Sequence, residues 1–311
     1  LYISTGTGPY NENVDPITIG EWQTIANYEM TSLASQGLPG VFNWAFYDGW
    51  WPGYGVWVAN THNSVGRFYE TFGNAGANTY LRDLTKSKYA GDPVTSREWY
   101  RPDPASGMVN WSARNNTNYM QAGVLASLSY AAENRENLLK NFYQKSVNNT
   151  RFAAKNKTKQ FTIPREQRDP AMAAYLVNQL RAQGIEVHQV TGGDQEGDYI
   201  VKLDQPYSKL AYDLLTPQQY PKEAKFPPYD AIAWTLSMLY GVDVKENELE
   251  FEAQDQLSLL TSDVSYEGII EGSGSDYVLD YKGHSTALTA LYGLKELSRG
   301  AKAYVSDQPL A

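Results

Sequence analysis

A break in pattern between Lys145 and Lys159 constrains the fold more than any other feature of this chain. The stretch is basic and polar, with Asn148-Asn149-Thr150 and Asn156-Lys157-Thr158 inside it, and reads as a linker. Before it, aromatic residues crowd between glycines and prolines; after it, short apolar runs alternate with helical patterns. A chain of 311 residues exceeds the ~100–200 residues of a typical domain, so a single core is not expected. The expectation is two α/β domains, residues 1–150 and 151–311.

Composition narrows the function classes. An apolar content of 42% with 20% charged residues is ordinary for a globular protein and argues against disorder. The formal net charge of −9, without a Lys/Arg cluster, disfavours a nucleic-acid partner. The absence of cysteine excludes disulfides, a thiol nucleophile and a cysteine-based metal site. No apolar run is long enough to cross a bilayer. The chain opens on Leu1-Tyr2-Ile3-Ser4, already strand-like and without Met or leader, and stops at Pro309-Leu310-Ala311 after another strand-like run; the expectation is a fragment of a longer protein.

In the first half, apolar positions at helical spacing (Ile19, Trp22, Ile25, Ala26, Met30, Leu33) predict a helix from Thr18 to Leu33, with Thr18 as cap and Gly37 as stop. Val41 to Phe46 predicts a strand, and Tyr47-Asp48-Gly49-Trp50-Trp51-Pro52-Gly53-Tyr54-Gly55 a rigid loop near a binding surface. Tyr47 and Tyr54 are the phenols that could reach into a site. His62 to Asn74 reads as a strand carrying one acid, Glu70, inside an apolar run of Val65, Phe68 and Phe72. Burial raises a carboxyl pKa, which suits a group that takes a proton from water and returns it. The alternative is a carboxylate satisfied by Arg67 or by backbone amides. Ala75 to Ala113 predicts a long insertion, ordered in part by its aromatics and a candidate for substrate contact. One helix is predicted from Tyr119 to Tyr143, facing the core through Leu125, Leu128, Leu138, Leu139 and Phe142. Arg114, just before it, either holds a substrate carboxylate or pins a loop to the helix end.

In the second half, Gln160–Ile163, a helix from Ala171 to Gln183 and a strand from Gly184 to Val190 predict a right-handed unit of two parallel strands joined by a helix. Asp194 to Val201 leads into a third strand, Tyr207 to Leu215 and Ala231 to Tyr240 read as helices, and Glu246 to Glu252 as an acidic extended segment. Tyr277–Asp280, Ser285–Ser298 and Ala301–Val305 repeat the strand–helix–strand idea, so the sheet is expected to be partly parallel.

Four strings carry a family resemblance: His62 to Asn74, Tyr2-Ile-Ser-Thr-Gly-Thr-Gly-Pro-Tyr10, Phe46-Tyr-Asp-Gly-Trp-Trp-Pro-Gly-Tyr54 and Arg114-Asn-Asn-Thr-Asn-Tyr119. Together they resemble a bacterial branch of the M14 zinc carboxypeptidases. The resemblance implies an α/β fold: the later part of a mixed-sheet α/β/α peptidase domain, then a partial α/β module similar to glutamine amidotransferases. Without cysteine that module has no amidotransferase chemistry. In the family's terms Glu70 is the general base, and Tyr47 or Tyr54 closes over the substrate, with Tyr47 nearer the usual separation from the acid. Tyr54, His62, Arg67 and Arg114 are the candidate substrate contacts. The implied cofactor is zinc, the implied substrate a peptide or protein C-terminus, and the implied location periplasmic or secreted. None of His62, His188 and His284 has Glu three residues on, so the His-x-x-Glu ligand motif is expected upstream of Leu1 and the fragment is expected to be inactive alone.

A rival class is carbohydrate recognition. Trp50, Trp51 and Trp57 with the abundant tyrosines could stack on sugar rings, and Asp48 with Glu70 could form a carboxylate pair. A third reading is a noncatalytic peptide- or carbohydrate-binding protein on a peptidase scaffold.

Overall fold

The computed structural model describes residues 1–44, 48–51, 53–55, 57–74, 76–89, 91–105, 107–225, 227–228, 235–269, 271–274 and 278–296. It is a mixed α/β protein in which every described strand pair is antiparallel. The chain divides into two compact units. The first holds residues 1–152, 206–213 and 217–234, and the second 153–205, 214–216 and 235–311. Among the described residues no helix is long and apolar enough to cross a membrane.

In the first unit a short strand β1 (Tyr2–Ile3) leads through a loop to α1 (Pro16–Ser35). Asp15, not Thr18, caps this helix: its Oδ1 accepts from the Ile17 amide at 2.9 Å, Pro16 occupies the first turn, and Thr18 lies buried inside it. Trp22, Ile25, Ala26, Met30 and Leu33 form the buried stripe that the spacing predicts. Gly37, at φ +71°, supplies the left-handed residue after the last turn. The predicted strand at Val41–Phe46 is reduced to an isolated parallel bridge, Phe42 to Tyr2; Ala45 and Phe46 lie outside the described residues.

Next come α2 (Trp57–Thr61), β2 (Tyr69–Glu70), β3 (Tyr80–Asp83), β4 (Lys88–Tyr89), β5 (Asp92–Pro93) and β6 (Met108–Trp111). Strands β3 with β6 and β4 with β5 form two small antiparallel ladders, so the long insertion is ordered, with Tyr100 and Arg101 buried within it. The predicted single helix is two, α3 (Ala113–Glu133) and α4 (Arg135–Thr150), broken at Asn134. Its expected core face is mostly on the surface: Leu125, Leu128, Leu139 and Phe142 are exposed, and α3 instead buries Gly123 and Ala126. Small residues let α3 approach α1, and Ala126 joins Leu1, Ile3, Ala26, Met30, Leu33 and Val41 in one cluster.

The stretch expected to be linker from Lys145 continues α4, and Lys145 is buried. Its Nζ donates to Glu21 Oε2 of α1 at 2.7 Å, and Asn141 donates to Glu21 Oε1 at 2.9 Å. A helix face buried on a charged partner has no apolar period, which is why its sequence resembles a linker.

The short helix α5 (Phe152–Lys155) precedes the second unit's β7 (Gln160–Ile163), α6 (Pro170–Ala182), β8 (His188–Val190) and β9 (Tyr199–Lys202). After α7 (Ser208–Leu215) and α8 (Leu236–Tyr240) come β10 (Lys245–Asn247), β11 (Leu257–Leu259) and α9 (His284–Glu296). The strand order is β10-β7-β9-β8-β11. Strands β7 and β8 therefore run in the same direction without touching, because β9 lies between them and pairs antiparallel with both. This corrects the expected parallel pairing: the alternation of strand and helix survives, and a later strand takes the central place. Ala173, Leu176, Val177 and Leu180 of α6 are buried, as are Phe161, Ile163, Ile200 and Val201 of the sheet. Residues 278–280, expected to be a strand, form no regular element, and Tyr277 and Ala301–Val305 lie outside the described residues.

Candidate active site

The segment read as one long strand, His62 to Asn74, is a turn followed by a short one. Asn63 takes a left-handed conformation, φ +60°, and is tied down by Asn149, whose Nδ2 donates to Asn63 Oδ1 at 2.7 Å. Both backbone groups of Gly66 are then fixed from outside: its N–H donates to Asn60 Oδ1 at 2.8 Å, and its carbonyl accepts from Trp22 Nε1 at 2.6 Å. From this anchor the chain runs into β2, which pairs with β1 in the register Tyr2 to Glu70 and Ile3 to Tyr69, with the Ser4 amide bonded to the Phe68 carbonyl. Successive side chains of an extended segment point to opposite faces, which sorts Arg67 and Tyr69 from Phe68 and Glu70.

The first face carries an acid that the sequence reading passed over. Glu29 of α1 is buried with its side chain fully covered; Arg67 forms an ion pair with Oε2, and the Tyr69 hydroxyl donates to Oε1 at 2.6 Å. Burial pushes the Glu29 carboxyl up, and Arg67 and Tyr69 pull it back in part; the Tyr69 phenol is raised by burial first and by Glu29 second. Gly123 of α3 makes room for this arrangement, since a Cβ there would stand 2.8 Å from the Tyr69 ring. Arg67 Nη2 is thus committed to Glu29 rather than to Glu70, while its Nε and Nη1 have no hydrogen-bond partner among the described residues.

The second face carries Glu70. Its cross-strand partner Tyr2 stacks on Phe42 at a centroid distance of 5.2 Å and meets Phe68 edge-on at 6.4 Å. Tyr89 closes the group, 4.8 Å from Phe42 and 6.3 Å from Tyr2. Glu70 is half-buried against this wall, and desolvation raises its pKa. Among the described residues no group hydrogen-bonds to its carboxylate and no cation pairs with it. The Tyr2 phenol is pushed up chiefly by burial, with the charge of Glu70 a minor contribution.

The other candidates are scattered by comparison. Tyr54 packs half-buried against the cluster of Tyr2, Trp22 and Trp57, with its ring 6.1 Å from Trp51. Tyr47 lies outside the described residues. His62 turns its Nδ1 to the Val58 carbonyl at 2.5 Å and sets its ring 5.2 Å from Tyr207. Arg114 is exposed in the first turn of α3. Of the rings proposed for sugar stacking, Trp50 and Trp57 are buried and present no face to a ligand, while Asp48 Oδ1 accepts from the Trp50 amide at 3.0 Å. Among the described residues no group of three His, Cys, Asp or Glu could hold a metal ion.

Another buried acid has neutral hydrogen-bond partners only. Asp213 of α7 accepts from Asn11 Nδ2 at 2.9 Å, Asn13 Nδ2 at 2.5 Å and Gln218 Nε2 at 3.1 Å, and burial pushes its carboxyl up to about 7. Both missed acids left a trace in the sequence. Glu29 falls on the stripe of Ile25, Ala26 and Leu33, and Asp213 on that of Leu210 and Leu214, where an unexplained charge on an apolar face marks a buried partner.

No protein-family model matches this chain, and neither a curated protein nor a solved structure does.

Proposed function

We propose that this chain belongs to a peptide hydrolase of zinc-carboxypeptidase type and supplies its general base, Glu70. One observation carries the reading: Glu70 is the acid of the β1–β2 ladder left without a cation among the described residues, half-desolvated against an aromatic wall. Such a carboxylate is poised to accept a proton from a water that attacks a peptide carbonyl. As the C–N bond breaks, the same carboxyl returns that proton to the leaving amine, so Glu70 ends the cycle ionised as it began. Tyr54 or Tyr47 caps the bound peptide. The substrate is a peptide or protein C-terminus and the location periplasmic or secreted. The proposal places the zinc ligands outside this chain.

A polypeptide that joins this chain to the coding sequence upstream of Leu1 tests the reading. It should release the C-terminal residue from a peptide with a free carboxylate and leave the amidated peptide intact. Glu70→Gln should retain zinc and lose turnover by roughly 10²–10⁴-fold, the usual contribution of a positioned acid–base group. A Glu70→Gln protein with undiminished turnover would remove Glu70 from this role. A noncatalytic binding protein is the second reading, favoured by the aromatic wall; it predicts no turnover in the wild type and peptide or sugar binding that Glu70→Gln leaves unchanged.

A further inference from the structure

Trp99 combines exposure with rigidity. It is 69% exposed, at the tip of a tight turn in which the amides of Glu98 and Arg101 each donate to the other's carbonyl, at 3.1 and 3.0 Å. The turn is locked from beneath by Arg101, only 1% exposed, whose guanidinium spends its donors on the Pro93 carbonyl at 2.8 Å, the Ser96 carbonyl at 3.0 Å and Ser96 Oγ at 3.0 Å. Burying an arginine without an acid is costly and is repaid only by bonds of this kind. Here those bonds fix the loop that carries an indole out into solvent. The ring stands 5.3 Å from Tyr100 and 6.0 Å from Trp44, which itself lies 4.9 Å from Tyr100.

This aromatic group is tied to the wall beside Glu70. The Asn43 amide donates to the Tyr100 carbonyl at 3.1 Å, one residue after Phe42, and the Tyr100 hydroxyl donates to Asp92 at 2.6 Å, the residue paired with Tyr89 across the β4–β5 ladder. We propose that Trp99 forms a subsite that takes an aromatic or large apolar side chain of the peptide. The proposal rests on the peptide-hydrolase reading. Its chemistry favours a side chain over a sugar: the Tyr100 hydroxyl is committed to Asp92 and the Arg101 guanidinium to Pro93 and Ser96, so ring faces are offered where a sugar needs polar partners at its rim.

Equilibrium binding to the chain itself tests the subsite. The probes are short peptides of serine and glycine with a single Phe moved along them. One Phe position should bind about ten-fold tighter than the Phe-free parent, the scale of a single aromatic anchor. Trp99→Ala should erase that preference without changing the parent's affinity, and Trp99→Tyr, which keeps a ring face, should retain most of it. Equal affinity for all Phe positions overturns the proposal, as does a preference that persists in Trp99→Ala. It is also overturned if a linear oligosaccharide is the ligand whose affinity falls in that variant. Because the readout is binding, loss of the Trp99 effect leaves the Glu70 turnover test untouched, and failure of the turnover test leaves the binding preference standing as a measured fact.

Discussion

The two faces of the segment Arg67–Glu70 hold acids under opposite conditions. On one, Glu29 is fully covered and held by Arg67 and Tyr69; on the other, Glu70 is half-covered by rings and has no cation among the described residues. Both carboxyls are raised by burial, yet only one has the surroundings of a structural group. The difference teaches that a shifted carboxyl is informative about function through what it lacks. A buried acid with a cation and a phenol is anchored, and removing a partner strands its charge. An acid with neither is free to exchange protons with a ligand.

Breaking the first face should therefore cost stability. Arg67→Met leaves Glu29 buried without its cation, and is expected to lower the unfolding free energy by about 3–5 kcal/mol, read from the urea midpoint. Unchanged stability would show that the pair is not what anchors Glu29.

Asp213 extends the comparison to an acid held by amides alone. Its folded-state pKa of about 7 lies above the ordinary 3.8, so the folded protein holds a proton that the unfolded chain releases. Its contribution to stability is fully present below pH 3.8 and is lost as pH rises through about 7, a fall of about 4 kcal/mol at most. Unfolding free energies measured across that range should slope downward, and Asp213→Asn should remove this part of the slope. A slope unchanged in the variant would assign the titration elsewhere.

A smaller effect sharpens the contrast on the first face. Tyr69→Phe keeps the ring beside Gly123 and deletes the hydroxyl that bonds Glu29, at an expected cost of about 1–2 kcal/mol. Equal stability of the two proteins would mean that Glu29 is satisfied without the Tyr69 hydroxyl.

What the sequence revealed depended on whether the signal was local. Helix α1 was legible from Trp22 to Leu33 because a single stripe meets a single core, and Gly37 marks its end. The face of α3 and α4 was misread because the apolar residues Leu125, Leu128 and Leu139 are exposed, and the buried contacts are made by Gly123, Ala126 and Lys145, which carry no apolar period. The second unit showed its strands and helix in order, but strand order is set by partners far along the chain, and nothing near Gln160 or Val190 announces that β9 inserts between them. Glu70 was legible as an acid in an apolar run. That Arg67 turns away from it to Glu29 was not, since the two are 38 residues apart.

The most direct test of the contrast is made on one variant, Glu70→Gln, by measuring urea unfolding and peptide turnover in the polypeptide extended upstream of Leu1. Stability within about 0.5 kcal/mol of wild type, with zinc retained and release of the C-terminal residue abolished, is the expected result for an acid that serves chemistry. A large loss of stability, or full turnover, would place Glu70 with Glu29 among the structural acids and contradict the account.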